Sequence, residues 1–471
     1  MRSRLLAGAA AALVALGLAA GCGGDGGGTQ AGSSAGTATT PAATTEATVR
    51  VRVTDGDTGN TLGGVDVRAR LASGETVTVP SDFTGLAEVP AEATRVAATR
   101  PGWSAAVAPV RDGGPVLLDI YDASLQSPEY GGGPERTRHV PAVEAGPPED
   151  PPDWTFDAIT LIEFPPAVMD GLVVFGVNSG RVFALDSENG DIVWEDRVTG
   201  PIASAPSIVD DVAYVSAMDG TLTAFRLDDG RRLWQFSTGE SPVESSPLFH
   251  DGLIYFGAWN GTVYAVDTEG ELAWSHQMSD QVKGSAALAG ERILIGDYSG
   301  RISALDATSG EELWNYTGGA RFYGGPAVSG NTAVIGDVGN AVIAIDVRDG
   351  SEIWRHTTAD WVYGSPAIAD GRVFIGAYDE VFRALDLTDG SVLWTHDAGG
   401  RVSGSATVVG DVVYYSILYR EGQPRKTWGL NVRTGAVVWQ NDDGRYSPVV
   451  AAGDTIYVVG TKLLRAYRDD A

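Results

Sequence analysis

Eight tryptophans recur at a nearly constant spacing over the last two-thirds of the chain. Their positions are Trp154, Trp194, Trp234, Trp274, Trp314, Trp354, Trp394 and Trp439. Six of the steps are 40 residues long and the last is 45. A fixed period near 40 residues is typical of repeated supersecondary units, because each unit buries its apolar surface only against its neighbours. The period therefore predicts a repeat architecture over this part of the chain.

Each unit contains four short runs rich in β-branched and aromatic residues, as in residues 364–394. Gly, Asp, Asn or Ser separates each run from the next. Such residues favour tight turns, because Gly adopts positive φ and Asp or Asn hydrogen-bonds its own turn. The pattern predicts four-stranded antiparallel sheets arranged radially, which is an all-β propeller.

The two ends of the repeat region predict how the ring closes. Residues 463–471 match the third strand of a unit and stop before a fourth strand. The missing strand is predicted at Trp154–Asp157, which looks like Trp394–Asp397. We therefore expect an eight-bladed β-propeller over residues 151–471, closed by a strand from its N-terminal side.

The turn before each tryptophan carries a recurring motif, Ala-x-Asp-x-x-x-Gly-x-x-x-Trp, as in Ala184–Trp194 and Ala304–Trp314. Arg226 and Asn431 stand where the motif has Asp. This pattern resembles the pyrroloquinoline-quinone-like propeller repeat. The resemblance covers residues 151–471 and implies that all eight tryptophans dock between neighbouring blades.

The N-terminal sequence is typical of a bacterial export signal. Residues 1–21 combine two early arginines with a short apolar run, which is typical of a secretory signal peptide. Cys22, the single cysteine, stands where the lipobox of bacterial lipoproteins has its lipidated residue. Residues 22–46 are mostly Gly, Ser, Thr, Ala and Pro and predict a disordered tether. We expect the protein at the extracytoplasmic face of a bacterial membrane, attached by lipid alone.

Residues 47–123 predict a small β-sandwich of about seven short strands. The stretch from Thr58 to Val67, followed by Ser81–Gly85, resembles the carboxypeptidase-regulatory, transthyretin-like family. That resemblance implies a non-catalytic accessory domain. Residues 124–150 are rich in Pro, Gly and Glu and predict a linker.

Charge and cysteine content exclude some functions. The formal net charge is −28, which argues against nucleic acid and anionic membranes as partners. Many alcohol-oxidising quinoproteins that this repeat resembles stack their cofactor on a disulfide of adjacent cysteines, and this chain has one cysteine. We predict a monomer with no catalytic residues, no metal and no cofactor. The alternatives are a quinoprotein oxidoreductase with pyrroloquinoline quinone and calcium, or a polymer-cleaving hydrolase.

Residues that differ between repeats are the candidates for function. Loops from each outer strand to the next inner strand should share one face of the ring. Equivalent positions in these loops are Glu163, Ala203, Glu244, Lys283, Tyr323, Tyr363, Ser403 and Arg445. One arc gathers cationic and aromatic residues, namely Arg321, Tyr323, Trp361, Tyr363, Arg401 and Arg445.

Aromatic residues and arginine are enriched at binding hot spots, although they also fill channel mouths as structural residues. We therefore predict a binding scaffold for an envelope protein or a cell-surface polymer. In domain plan the chain also resembles the propeller lipoproteins of outer-membrane β-barrel assembly. Those proteins lack the N-terminal sandwich, so the resemblance does not imply that this protein binds the same partners.

Overall fold

The computed structural model describes residues 47–111, 114–140, 146–418, 425–444, 446 and 449–468. The predicted signal peptide, the tether and Cys22 lie outside these residues. No helix in the described part of the chain has both the length and the apolar composition that a membrane crossing needs. A 3-10 turn at Ala123–Leu125 is present, and the rest of the regular structure named below is β-strand.

Two sheets form the N-terminal region, residues 47–123. The first contains Leu86–Pro90, Thr48–Asp55 and Val116–Ile120 in that order. The second contains Thr76–Pro80, Asp66–Leu71, Ala93–Thr99 and Ala106–Pro109. Alternate residues of both sheets, such as Val51 and Val67, are buried in one hydrophobic cluster. This shared core holds the two sheets together.

Eight sheets follow among the described residues, and we number them in chain order. Sheet 1 contains Ala167–Met169, Leu172–Gly176, Arg181–Asp186 and Ile192–Arg197. Sheet 2 contains Ser207–Val209, Val212–Ala217, Thr221–Arg226 and Arg232–Ser237. Sheet 3 contains Leu248–His250, Leu253–Gly257, Thr262–Asp267 and Leu272–Gln277. Sheet 4 contains Ala287–Leu288, Arg292–Gly296, Arg301–Asp306 and Glu312–Thr317.

The second half of the ring repeats the same order. Sheet 5 contains Ala327–Ser329, Thr332–Gly336, Ala341–Asp346 and Glu352–Thr357. Sheet 6 contains Ala367–Ala369, Arg372–Gly376, Val381–Asp386 and Val392–Asp397. Sheet 7 contains His139–Val140, Thr407–Val409, Val412–Ser416, Thr427–Asn431 and Val437–Asn441. Sheet 8 contains Val449–Ala452, Thr455–Val459, Leu463–Arg468 and Trp154–Asp157.

These sheets form a closed, propeller-like ring. First strands of neighbouring sheets contact one another, and the first strand of sheet 8 contacts that of sheet 1. Sheet 8 takes its fourth strand from the N-terminal side of the ring, because Trp154–Asp157 pairs with Leu463–Ala466. Trp154 then packs with buried residues of sheets 1 and 8, among them Phe175 and Tyr457.

The outer turns of the ring repeat one contact between neighbouring sheets. Seven tryptophans donate from the indole Nε1 to a carbonyl in the following sheet, over 2.6–3.0 Å: Trp154, Trp194, Trp234, Trp274, Trp314, Trp354 and Trp394. Each indole also lies against the turn glycine of that sheet. At Gly310, where φ is +72°, an added Cβ would lie 2.5 Å from Trp274. The motif therefore needs glycine for both conformation and space.

The inner strands are linked by a second repeated contact. The hydroxyl of Ser365 accepts the Gly325 amide at 2.9 Å, and Ser405 accepts the Ser365 amide at 3.0 Å. Ser285 accepts the Ser246 amide at 3.0 Å and so joins sheets 3 and 4. Small residues are required here because the backbones approach closely: a Cβ on Gly364 would lie 2.4 Å from the Gly404 carbonyl.

Part of the segment predicted as a linker, residues 124–150, also forms hydrogen bonds with the ring. Residues 126–140 run through the central channel, where their carbonyls accept amides from the first strands. The donors occupy equivalent positions in six of the sheets and lie 2.7–2.8 Å from their acceptors: Val168, Ile208, Leu288, Val328, Ile368 and Val408. These inner amides would otherwise be buried without partners, so the segment satisfies them. We call residues 126–140 the channel segment.

The N-terminal sheets contact one face of the ring. Gln126 donates to Asp57 over 3.0 Å and accepts the Asp170 amide at 3.2 Å, while Leu125 accepts the Gly453 amide at 2.8 Å. Asp170 and Gly453 lie in turns between the first and second strands of sheets 1 and 8. In an antiparallel meander, the loops that lead into each first strand lie on the opposite face. That opposite face carries the predicted arc.

Candidate binding site

A cavity of about 210 Å³ opens at this second face, at the mouth of the channel. Its floor is Tyr130 of the channel segment, which is 6% exposed and lies 3.3 Å from the Ser405 hydroxyl. Its lower wall consists of small residues from the loops before the first strands: Gly284, Ser285, Gly324, Gly325, Gly364, Ser365, Ser403, Gly404 and Ser405. Because the channel segment forms the floor, the cavity is open from one side.

Aromatic rings form one side of the mouth. Tyr363 lies 4.7 Å from Tyr323 and 4.8 Å from Tyr378, with the second pair stacked at 15°. Trp361 lies 6.0 Å from both Tyr363 and Tyr378. Its side chain is 48% exposed, a large apolar surface left to solvent. Rings arranged in this way offer stacking faces to a ligand.

Two arginines lie over these rings. Arg321 is 5.7 Å from the centre of Tyr298, and Arg401 is 5.0 Å from the centre of Tyr378. Arg401 also lies 3.9 Å from the Asp360 carboxylate. Cation–π contacts at this distance favour a fixed position for each guanidinium at the rim. The rim therefore combines positive charge with aromatic surface in a strongly acidic chain.

A largely buried carboxylate, Glu244, adjoins these rings. Glu244 accepts hydrogen bonds from Tyr323 at 3.1 Å and from the Trp259 indole at 3.2 Å. The Lys283 ammonium lies 3.9 Å from the same carboxylate and 3.8 Å from the Trp259 ring centre. Burial raises the pKa of Glu244, whereas the lysine charge and the two donors oppose that shift.

The tyrosines of the wall resist ionisation. Burial, followed by the nearby Glu244 charge, raises the pKa of Tyr323. Burial raises the pKa of Tyr378 to about 12. Both therefore remain neutral hydrogen-bonding groups near neutral pH.

The structure brings together five of the six residues in the predicted arc. Arg321, Tyr323, Trp361 and Tyr363 line one recess beside the cavity, and Arg401 joins them through Tyr378. Arg445 lies outside the described residues.

Sequence reasoning missed three aromatic residues of the site. Trp259, Tyr298 and Tyr378 each lie two positions after the glycine that ends a second strand. The position two residues after this glycine, when compared between repeats, identifies all three aromatic residues.

The lining of the cavity itself offers one cation, Lys283, to pyrroloquinoline quinone, which is a tricarboxylate. Two carboxylates, Glu163 and Glu244, line the cavity, and Lys283 is already paired with Glu244. Carboxylates repel an anionic cofactor unless cations outnumber them. Across the described residues, no group of three or more His, Cys, Asp or Glu side chains is placed to hold a metal ion.

The eight sheets and their closure define an all-β, propeller-like fold with a cavity at the mouth of its channel. A family model described as outer membrane protein assembly factor BamB matches residues 150–298, 238–321 and 298–465. The chain therefore belongs to this family.

Individual relatives are distant. The assembly factor BamB of Yersinia pestis is 28% identical over 156 residues, which are 30% of this chain and 39% of that protein. The Shewanella oneidensis protein of the same name is 29% identical over 23% of this chain and 29% of its own length. The chain thus spans about two-fifths or less of the length of these curated relatives.

Solved structures share the fold. BamB from Moraxella catarrhalis aligns with a TM-score of 0.57 at 18% identity, over 68% of this chain and 99% of that one. A quinohemoprotein alcohol dehydrogenase from Comamonas testosteroni aligns with a TM-score of 0.60 at 13% identity, over 73% and 80%. At these identities the likeness concerns architecture and does not choose between a binding protein and an enzyme.

Proposed function

We propose that this protein is a non-catalytic scaffold, anchored through Cys22 at the extracytoplasmic face of a bacterial membrane. Its aromatic cavity binds an exposed loop or chain end of another envelope protein. The observation that carries the proposal is the half-exposed Trp361 beside stacked tyrosines, above a channel that the protein's own chain closes. A channel closed in this way leaves no room for a polymer to thread through.

The domain plan is part of the proposal. Residues 1–21 are the signal peptide, 22–46 the tether, 47–123 a β-sandwich and 151–471 an eight-bladed propeller. The pairing of Trp154–Asp157 with the last sheet supports the blade count. Residues 124–150 connect the two folded parts, and the contacts of the channel segment hold them together.

A protein partner fits the site better than an envelope polysaccharide. Tyrosine, tryptophan and arginine are the side chains most enriched at protein–protein hot spots, and here they share one rim. The family's relatives carry the name of a protein assembly factor. Both observations favour a peptide segment that presents apolar or aromatic side chains and an acidic group for the arginines.

Photo-crosslinking tests this proposal in cells. A photoreactive amino acid at position 361 should give an adduct with one or a few envelope proteins. The matched control carries it at Ile353, which is 44% exposed on an outer strand, and should give no such adduct. Adducts of polysaccharide alone, or identical adducts at both positions, would contradict a protein-binding cavity.

The enzyme alternative has its own test. We expect no saturable thermal shift and no dye-linked dehydrogenase activity when pyrroloquinoline quinone and calcium are added to the purified protein. The pairing of Lys283 with Glu244 supports this expectation, because the one lysine of the cavity lining is already engaged by a carboxylate of the protein. A saturable shift accompanied by alcohol oxidation would replace the scaffold with a quinoprotein oxidoreductase.

A further inference from the structure

Two arginines flank Trp361 at equivalent positions of neighbouring repeats, Arg321 before it and Arg401 after it. The backbone carbonyl of Arg321 accepts the Val338 amide at 3.0 Å. The carbonyl of Arg401 accepts the Leu418 amide at 2.7 Å in the same way. Because these bonds hold both backbones alike, the two arginines are a matched pair that differs in the surroundings of the guanidinium.

The charges of the two arginines are compensated differently. The Asp360 carboxylate lies 3.9 Å from Nη2 of Arg401. Asp280, the repeat equivalent of Asp360, accepts the amide of its neighbour Gln281 at 2.7 Å. Among the residues that the structure describes, no carboxylate oxygen lies within 4.0 Å of a side-chain nitrogen of Arg321. Arg321 can therefore pair with a carboxylate of a partner without giving up an ion pair, whereas Arg401 has to exchange one.

Arg321 also lies at one end of a row of aromatic rings. Neighbouring ring centres in the row are 5.9, 4.7 and 6.0 Å apart, in the order Tyr298, Tyr323, Tyr363 and Trp361. The row bounds a recess of about 330 Å³, which Ala320 and Val338 help to line. The hydrogen bond from Tyr323 to Glu244 holds the middle of the row in place. The recess therefore offers aromatic faces along its length and a guanidinium at one end.

We propose that this recess recognises an aromatic side chain that stands next to an aspartate or glutamate in the partner's sequence. This inference rests on the scaffold function proposed above. The partner's aromatic ring enters the recess and stacks on the row, and the adjacent carboxylate pairs with Arg321. Arg401 lies over Tyr378 and keeps its pair with Asp360, so it does not select for the acidic residue.

Peptide selection followed by affinity measurement tests the inference. Short random peptides displayed in a loop are selected on the purified protein, and we expect enrichment of aromatic residues next to Asp or Glu. Selected peptides are then synthesised with both ends blocked, so that only a side-chain carboxylate is present. Replacing that Asp or Glu by Asn or Gln should raise Kd roughly two- to fivefold, the range expected for an exposed ion pair.

The matched arginines supply the decisive control. Arg321→Gln should bind the acidic and the amide peptide equally, whereas Arg401→Gln should keep the parent's preference for the acidic one. Trp361→Ala should weaken both peptides by roughly tenfold, because it removes one end of the aromatic row. A preference for the acidic peptide that survives in Arg321→Gln would overturn the assignment to this arginine.

The selection also separates this inference from the proposed function. Selected peptides without an acidic residue, or no selected peptide at all, contradict the inference. If the photoreactive residue at position 361 still gives protein adducts in that case, the scaffold function stands without it. Loss of both the peptides and the protein adducts contradicts the two together.

Discussion

The outer turns of the ring repeat the same residues from sheet to sheet, whereas the mouth of its channel has different residues at equivalent positions. At the outer turns, one indole, one carbonyl and one glycine meet in nearly the same geometry from sheet to sheet. At the channel mouth, equivalent positions hold glutamate, lysine, tyrosine or serine. The first region repeats because the same contact joins seven neighbouring pairs of sheets among the described residues.

This difference separates stability from function. Residues that repeat are explained by packing between neighbouring sheets, and none of them distinguishes this ring from another of the same family. Residues that vary at the mouth do not improve that packing, and Trp361 leaves apolar surface exposed. Variants of the repeated contacts should therefore change stability, and variants of the mouth should change binding.

Loss of the closing strand should have the largest effect. Deleting residues 150–162 removes Trp154 and Phe156 from a buried cluster and leaves one edge of the strand Leu463–Arg468 without its partner. We expect a loss of more than about 5 kcal/mol, measured by calorimetry or circular dichroism. Ile159→Ala, at a side chain 71% exposed, should change stability by less than about 0.5 kcal/mol. An unchanged Tm after the deletion would refute the closure and the proposed blade count.

Breaking the buried ion pair between Arg136 and Glu129 should have the second largest effect on stability. Arg136→Met leaves the Glu129 carboxylate buried without its partner and removes three hydrogen bonds, to the carbonyls of Tyr130, Pro247 and Ala286. The expected loss is about 3–5 kcal/mol in denaturant unfolding. Adding Glu129→Gln should restore part of it, because the unpaired charge disappears. If the double variant is no more stable than the single one, the two charges are not coupled.

The indole–glycine contact should have a moderate effect. Gly310→Ala forces an alanine into positive φ and places its Cβ 2.5 Å from Trp274, so we expect a loss of about 2–4 kcal/mol. Gly371→Ala has nearly the same φ, +71°, with no atom within 4 Å of the new Cβ. It should lose only about 1 kcal/mol. Equal losses would mean that the indole contact contributes nothing.

The smallest effect concerns the junction between the N-terminal sheets and the channel segment. Burial raises the pKa of Asp57 to about 6, above its unfolded value of 3.8. Its contribution is therefore present below about pH 4 and is lost as pH rises through 6. Asp57→Asn should flatten the pH dependence of stability between pH 4 and 7, followed as Tm against pH. The change in the free energy of unfolding should be less than about 1 kcal/mol, because the group is partly exposed. A steeper dependence in the variant would contradict this sign.

The period of the sequence was sufficient to place most strands. The unit ending at Trp394 predicts four strands, and the structure has four between Ala367 and Asp397. The sequence also predicts about seven short strands in the N-terminal region, and the structure has seven there among the described residues. Alternation and turn residues are local signals, so they are readable without the fold.

The channel segment could not be predicted in this way. Its Pro, Gly and Glu composition is typical of a linker. Its partners are amides of six different sheets, and these become neighbours only after the ring has closed. The aromatic mouth was partly predictable because Tyr323 and Tyr363 share a repeat position. The Glu244–Tyr323 hydrogen bond joins residues far apart in the chain and needed the structure.

The central claim is that function lies where the ring departs from its repeat. The triple variant Arg321→Ala, Trp361→Ala and Arg401→Ala tests it most directly, with thermal unfolding and partner crosslinking measured on the same protein. The crosslinker is placed for this purpose at Tyr298, which the variant leaves at the rim. We predict a Tm within about 2 °C of the parent protein and loss of the adduct. An undiminished adduct from a fully folded variant would contradict the account.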